Sequence, residues 1–233
     1  MKGARQIYFS FFAKIGIAVL IYTICRILFY LFNQSYFGPL ALSSIIGGIR
    51  FDLMTITILY SPFILAHFFF YRGKSKVLML LFHLSNSFSI LINCIDFEYY
   101  KFTFKRTTFD IFTTSGIGDD ILNLLPQFAI DFWYIALIAI GLIYLSVILY
   151  NRSEKIIVEK ISFLQYIGFL IPTLLLLVIG FRGGVQLRPL GVLYASTYAT
   201  AQNVPIVLNT PFTILKSSYK EDLKLLDLSL IHI

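Results

Sequence analysis

Charged side chains are scarce in this chain: Asp, Glu, Lys and Arg make up 13% of its 233 residues, against 58% hydrophobic ones. A soluble globular chain carries about 25% charged and about 45–50% apolar residues. The shortage excludes an ordinary soluble domain and points to several membrane crossings. Cysteine is nearly absent as well. Cys25 and Cys94 both sit inside apolar runs, which leaves no disulfide framework or metal-ligand spacing and suits buried, inert thiols. The three histidines, His67, His83 and His232, are scattered without a ligand pattern. Alternating polarity is missing, which rules out β-barrel strands. No cleavable leader is apparent, because the first apolar run is too long for a signal core and no small-residue site follows it. The net charge of +7 raises nucleic acid as a partner, but no basic stripe or readout motif accompanies it, so none is expected.

What is present is five apolar runs near 7–32, 41–70, 77–96, 132–150 and 162–181, each long enough for a bilayer that needs about 20 residues. The expected fold is an all-α membrane protein: five transmembrane helices, an outer interfacial helix and a C-terminal extracytoplasmic linker. Residues 1–181 form the membrane domain and 182–227 the juxtamembrane segment and linker. Lys2 and Arg5, then Arg72, Lys74 and Lys76, then Arg152, Lys155 and Lys160 fall on one side of these runs, while the 33–40 connection has no basic residue. That asymmetry places the N-terminus in the cytoplasm and everything after Phe181 outside. Lys14 is expected to snorkel at the inner end of the first span.

The second run contains Gly47-Gly48-Ile49-Arg50-Phe51-Asp52. Two charges there are costly in lipid, and positions two apart on a helix point to opposite sides. Each therefore needs a partner from another element. By direction of travel, Arg26, Arg50, Asp52, Asn93, Asp96 and Glu98 share one depth in the outer leaflet. The expected pairs are Asp52 with Arg26, or Arg50 with Asp96, the other charges facing a hydrated site. Two readings stand for this cluster: a functional site, or ion pairs that fix helix packing.

Between spans three and four, Tyr99-Tyr100-Lys101-Phe102 and Lys105-Arg106-Thr107-Thr108 suit the lipid headgroup zone. Asp119 or Asp120 is expected to start the interfacial helix that Pro126 ends, capping it rather than holding a metal. Beyond span five, Arg182-Gly183-Gly184-Val185-Gln186-Leu187-Arg188-Pro189 is a turn-rich, basic exit. Residues 190–208 suit a short helix on the outer face. Asn209-Thr210-Pro211-Phe212 reads as a turn or helix start. Arg50, Arg182 and Arg188 are the candidates for phosphate contact, since guanidinium matches phosphate oxygens.

Several of these pieces together resemble the membrane part of the lipoteichoic acid synthase family. That family belongs with the phosphoglycerol transferases of the alkaline phosphatase and sulfatase superfamily. The likeness rests on Gly48-Ile49-Arg50-Phe51-Asp52, on Asn93, Asp96, Glu98 and Tyr99, and on Arg106, Thr108 and Asp110. It continues through Arg182-Gly183-Gly184, Gln186, Arg188 and Pro189 to Asn209-Thr210-Pro211-Phe212. The resemblance implies a bacterial cell membrane, membrane lipids with anionic phospholipid or glycolipid headgroups as partners, and an outward catalytic domain after the linker. That domain would carry a threonine nucleophile and a divalent metal, commonly manganese. No catalytic residue, metal ligand or cofactor site is expected in the present chain. Leu228-Ser229-Leu230-Ile231-His232-Ile233 resembles the translation of a sequencing adapter, so the genuine sequence is expected to depart near Asp227. A phosphoethanolamine transferase with the same layout is the alternative. A small transporter would call for internal symmetry and broken midplane helices, which five unequal spans do not display.

Overall fold

The computed structural model describes residues 2–69, 75–113, 127, 130–154, 162–186 and 188–218. Among these residues every regular element is helical. Helix α1 (Lys2–Phe32) is closed off by Asn33, whose side-chain amide donates to the carbonyls of Phe29 and Phe97, each at 3.1 Å. The second apolar run, expected as one span over 41–70, divides into α2 (Leu42–Leu59) and α3 (Ser61–Phe69). Pro62 is the reason: it has no N–H to carry the helical ladder through. The hydroxyl of Ser61 donates to the Ile58 carbonyl at 2.8 Å.

Helix α4 (Lys76–Thr103) starts at Ser75, whose side chain accepts from the Leu78 N–H. It runs past the expected end at residue 96, because the polar residues that close the apolar run find partners and need no lipid. Phe104 then takes a left-handed conformation with φ 53°, which turns the chain back toward the helix it has just left. Such a φ is uncommon outside glycine and asparagine. A short α5 (Asp110–Thr113) follows, then α6 (Trp133–Ser153) and α7 (Phe163–Arg182). Lys14 does not snorkel: it is buried and faces Glu154, the residue that caps the end of α6, at 3.5 Å.

Among the described residues, helices α1, α2, α4 and α6 are long and apolar enough to cross a membrane, and Leu170–Arg182 of α7 forms a shorter apolar stretch. Helix α4 packs against α6 and α1, while α2 packs against α1 and α7. The ends of α2 and α7 are staggered. Gly180 lies against Thr57 and Gly183 against Met54, so α7 stops beside the middle of α2. From Arg50 to its own start at Leu42, α2 continues for about 12 Å.

Residues 190–217 fill the step left above α7. The expected short helix over 190–208 is instead two 3₁₀ turns (Val192–Thr197, Ala201–Asn203) and a single α-turn, α8 (Val204–Val207). Helix α9 (Thr210–Ser217) begins at Asn209, whose side chain accepts from the Phe212 N–H at 2.8 Å. Ser43 donates to the Tyr198 carbonyl at 2.9 Å, and the Gly38 N–H donates to Asn203 at 3.0 Å. Leu190, Ala195, Val207 and Phe212 are buried with Phe51 and Met54 of α2 as one apolar cluster. The Phe51 and Phe212 rings meet edge to face at 4.9 Å, an arrangement worth about 0.5–1.5 kcal/mol beyond area burial. The expected interfacial helix near 119–126, the linker beyond 218 and the final hexapeptide lie outside the described residues.

Candidate functional site

The two charges of the second run do point apart, and two glycines make room for what each meets. A Cβ on Gly48 would collide with the Arg26 guanidinium, and one on Gly47 with the Tyr198 ring. Arg26 therefore reaches across α2 without obstruction. It meets Asp52 through two parallel bonds, Nη1 to Oδ2 at 2.7 Å and Nη2 to Oδ1 at 2.6 Å. Both side chains are buried. The rest of the guanidinium serves α8: Nε donates to the Ile206 carbonyl at 2.9 Å and Nη2 to Val207 at 3.3 Å. Asp52 in turn accepts from the side-chain amide of Asn209 at 2.8 Å. Asn209 also accepts from the Thr55 hydroxyl at 3.2 Å.

A second centre is built around Asp96. Its carboxylate accepts from the Thr210 hydroxyl at 2.6 Å, the Thr107 N–H at 3.1 Å, the Thr107 hydroxyl at 2.5 Å and Arg106 Nη1 at 3.4 Å. Arg106 Nε donates to the Pro205 carbonyl at 2.9 Å, and its guanidinium lies 3.4 Å from the centre of the Phe29 ring. Burial pulls the Arg106 guanidinium down to about 10, with the Asp96 charge opposing that shift, so it stays charged at neutral pH. Asn93 closes the circle, accepting from the Thr210 N–H at 3.2 Å. Three consecutive carbonyls, from Pro205 to Val207, are thus met by two arginines that each carry a carboxylate partner. Buried charge is tolerated on these terms: paired, and with its remaining groups hydrogen-bonded.

Arg26, Asp52, Asn93 and Asp96 are therefore brought together. The alternative pairing of Arg50 with Asp96 does not occur, because the loop after Phe104 delivers Arg106 to Asp96 first. Glu98 stands apart and binds Lys101 at 2.6 Å, one helical turn along α4. Arg50 lies on the other side of α2, half-buried at the step where α7 ends. It donates to the Gly183 carbonyl and the Tyr198 hydroxyl, each at 2.8 Å, and to the side-chain carbonyl of Gln186. Arg182 Nη2 donates to the Gln186 backbone carbonyl at 2.8 Å. Arg188 is exposed.

Thr107, Asn209 and Thr210 are members of the network that reasoning on charge alone passes over, and Arg106, expected in the headgroup zone, is buried in it. A usable signal was the placement of Asn209 and Thr210 before Pro211, an N-cap followed by proline in the first turn. Chemically these two centres differ from the surroundings of Arg50. Around Asp52 and Asp96 every carboxylate oxygen is engaged, which makes a joint between the helices and the cap formed by residues 190–217. Around Arg50 the acceptors are neutral, which suits recognition of an anion. No family model matches this chain, and no curated protein or solved structure is found similar to it.

Proposed function

We propose that this chain is the membrane-anchoring and lipid-substrate-positioning part of a lipid-dependent phosphoglycerol-type transferase. It crosses the bilayer five times, with α2 and α3 as one broken span and α7 as the last. Its N-terminus faces the cytoplasm and the cap over 190–217 faces outward. A sulfatase-like domain with a divalent metal, manganese in the usual case, would follow the linker and carry out the chemistry.

The observation that supports the reading is convergence. Gly48, Asp52, Asn93, Asp96, Arg106, Asn209 and Thr210 belong to the residues by which the sequence resembles that family, and they meet in a single joint. Such a joint fixes the place at which the chain leaves α9, which a tethered catalytic domain requires if it is to meet a lipid headgroup repeatedly at one height.

Sequencing the gene beyond codon 227 tests the activity. An open frame leading into a metal-binding phosphotransferase domain is the expected result, and a natural stop there overturns the reading. Orientation has its own test. Thr200→Cys, on the exposed face of the cap, is expected to react with an impermeant maleimide from outside intact cells. Labelling only after permeabilisation would reverse the topology.

A further inference from the structure

Arg50 is a half-buried cation for which the described fold supplies no carboxylate. Arg26 has Asp52 and Arg106 has Asp96, whereas Arg50 donates to a backbone carbonyl, a tyrosine hydroxyl and an amide carbonyl. The face of Tyr194 adds a cation–π contact at 5.3 Å. One N–H on each terminal nitrogen remains for a further acceptor. The wall opposite α2 cannot neutralise it, because the sequence from Ser162 to Ser218 contains no Asp or Glu. That wall instead brings Arg182 and Arg188 to the same turn.

Gln186 is the point on which two guanidinium groups converge. Its side-chain carbonyl accepts from Arg50, its backbone carbonyl accepts from Arg182, and its amide donates back to the Arg182 carbonyl at 3.2 Å. Gly183 and Gly184, at φ 73° and 139°, form the turn that holds it there. A Cβ on Gly184 would fall against Arg50 Nη2 and Gln186 Oε1, so only glycine leaves room there for the acceptor that Arg50 meets.

We propose that this notch binds a single phosphate-bearing anion. Arg50 and Arg182 form its cationic walls, and the Gln186 side-chain carbonyl holds the position that a phosphate oxygen takes. A guanidinium fork matches two phosphate oxygens at once. A partly desolvated cation without a counter-charge also gains more from an incoming anion than an exposed one does. The shared chemistry is that of a phosphate with net negative charge, as free phosphate or in a headgroup without a cation of its own; the choline ammonium of phosphatidylcholine is repelled by the two guanidinium groups. Val185 and Leu193 beside the notch are 90% and 89% exposed, apolar surface that suits acyl chains and favours the lipid. The site requires a phosphate group and no catalytic domain, so it stands independently of the transferase reading.

The test uses the full chain in nanodiscs of phosphatidylcholine doped with phosphatidylglycerol, with retained lipid read by native mass spectrometry. Three proteins are compared: wild type, Arg50→Gln and Gln186→Glu. The last provides Arg50 with a carboxylate and occupies the notch from within. Wild type is expected to retain phosphatidylglycerol over phosphatidylcholine by about tenfold, equivalent to about 1.4 kcal/mol, and both variants to lose that preference. Gln186→Glu is expected to melt no lower than wild type, which separates a filled site from a damaged fold. Stripping of the retained phosphatidylglycerol by added inorganic phosphate would identify free phosphate as the ligand, and resistance to it the lipid headgroup. Equal retention of the two lipids by wild type, or an unchanged preference in Gln186→Glu, overturns the proposal. A stop codon after residue 227 would remove the transferase reading and leave this result untouched.

Discussion

Asn209 donates to Asp52 at 2.8 Å while its own side-chain oxygen caps the helix that follows. One residue thus ties the α1–α2 ion pair to the start of α9. Asn209→Ala removes both bonds and the one from Thr55, and is expected to lower stability by about 1–3 kcal/mol. Asn209→Asp keeps the cap but sets a second carboxylate against Asp52, and should be the more damaging change. Thermal unfolding of the purified chain in detergent ranks the two. If the aspartate variant matched wild type, Asn209 would not be bonded to Asp52 as described.

The Arg26–Asp52 pair is expected to show strong coupling. Arg26→Ala or Asp52→Ala alone strands a buried charge, at a cost of about 3–5 kcal/mol. The double variant should be less destabilised than the sum of the two. It should still fall below wild type, because the Ile206 and Val207 carbonyls lose their donor. Simple additivity across the cycle would contradict the bidentate contact.

Part of this joint was legible in the sequence because charges inside apolar runs are so few. Arg26 and Asp52 had few possible partners, and their depths along α1 and α2 agreed. The partner of Asp96 is hidden for an equally physical reason. Depth alone matches Asp96 with Arg50, and nothing local announces that a phenylalanine, Phe104, adopts a left-handed turn usually left to glycine. That turn is what carries Arg106 and Thr107 back to Asp96. The break in the second run was signalled by Pro62, but continuous hydropathy concealed it. The stagger between α2 and α7 had no signal in either helix alone, since it depends on tertiary contacts between Thr57, Met54 and the glycines of α7 and its exit.

Glycine substitutions separate close approach from mere presence in a helix. Gly48→Ala forces its methyl into the Arg26 guanidinium and is expected to be destabilising by about 2 kcal/mol or more, through loss of a buried pair. Gly16 and Gly141 have nothing within 4 Å of an added Cβ. Gly16→Ala and Gly141→Ala should be neutral or stabilising by up to about 1 kcal/mol from helix propensity. Melting temperatures of the three variants check the order.

Arg106→Lys tests whether charge alone suffices at Asp96. Lysine keeps the charge but loses the planar stack on Phe29 and the fork that reaches Asp96, Thr210 and Pro205 together. The expected loss is about 2 kcal/mol, seen as faster proteolytic cutting between residues 190 and 217. Cutting at the wild-type rate would show that a point charge is enough.

The stagger and the joint also set an order of manufacture. Arg26 and Asp52 are 26 residues apart in sequence, whereas Asn209 lies 157 residues beyond Asp52. A nascent chain can therefore close the α1–α2 ion pair while most of its length is still unmade. The socket is complete before its occupant has been synthesised, and the Arg26 donors aimed at α8 wait through the synthesis of α4, α6 and α7.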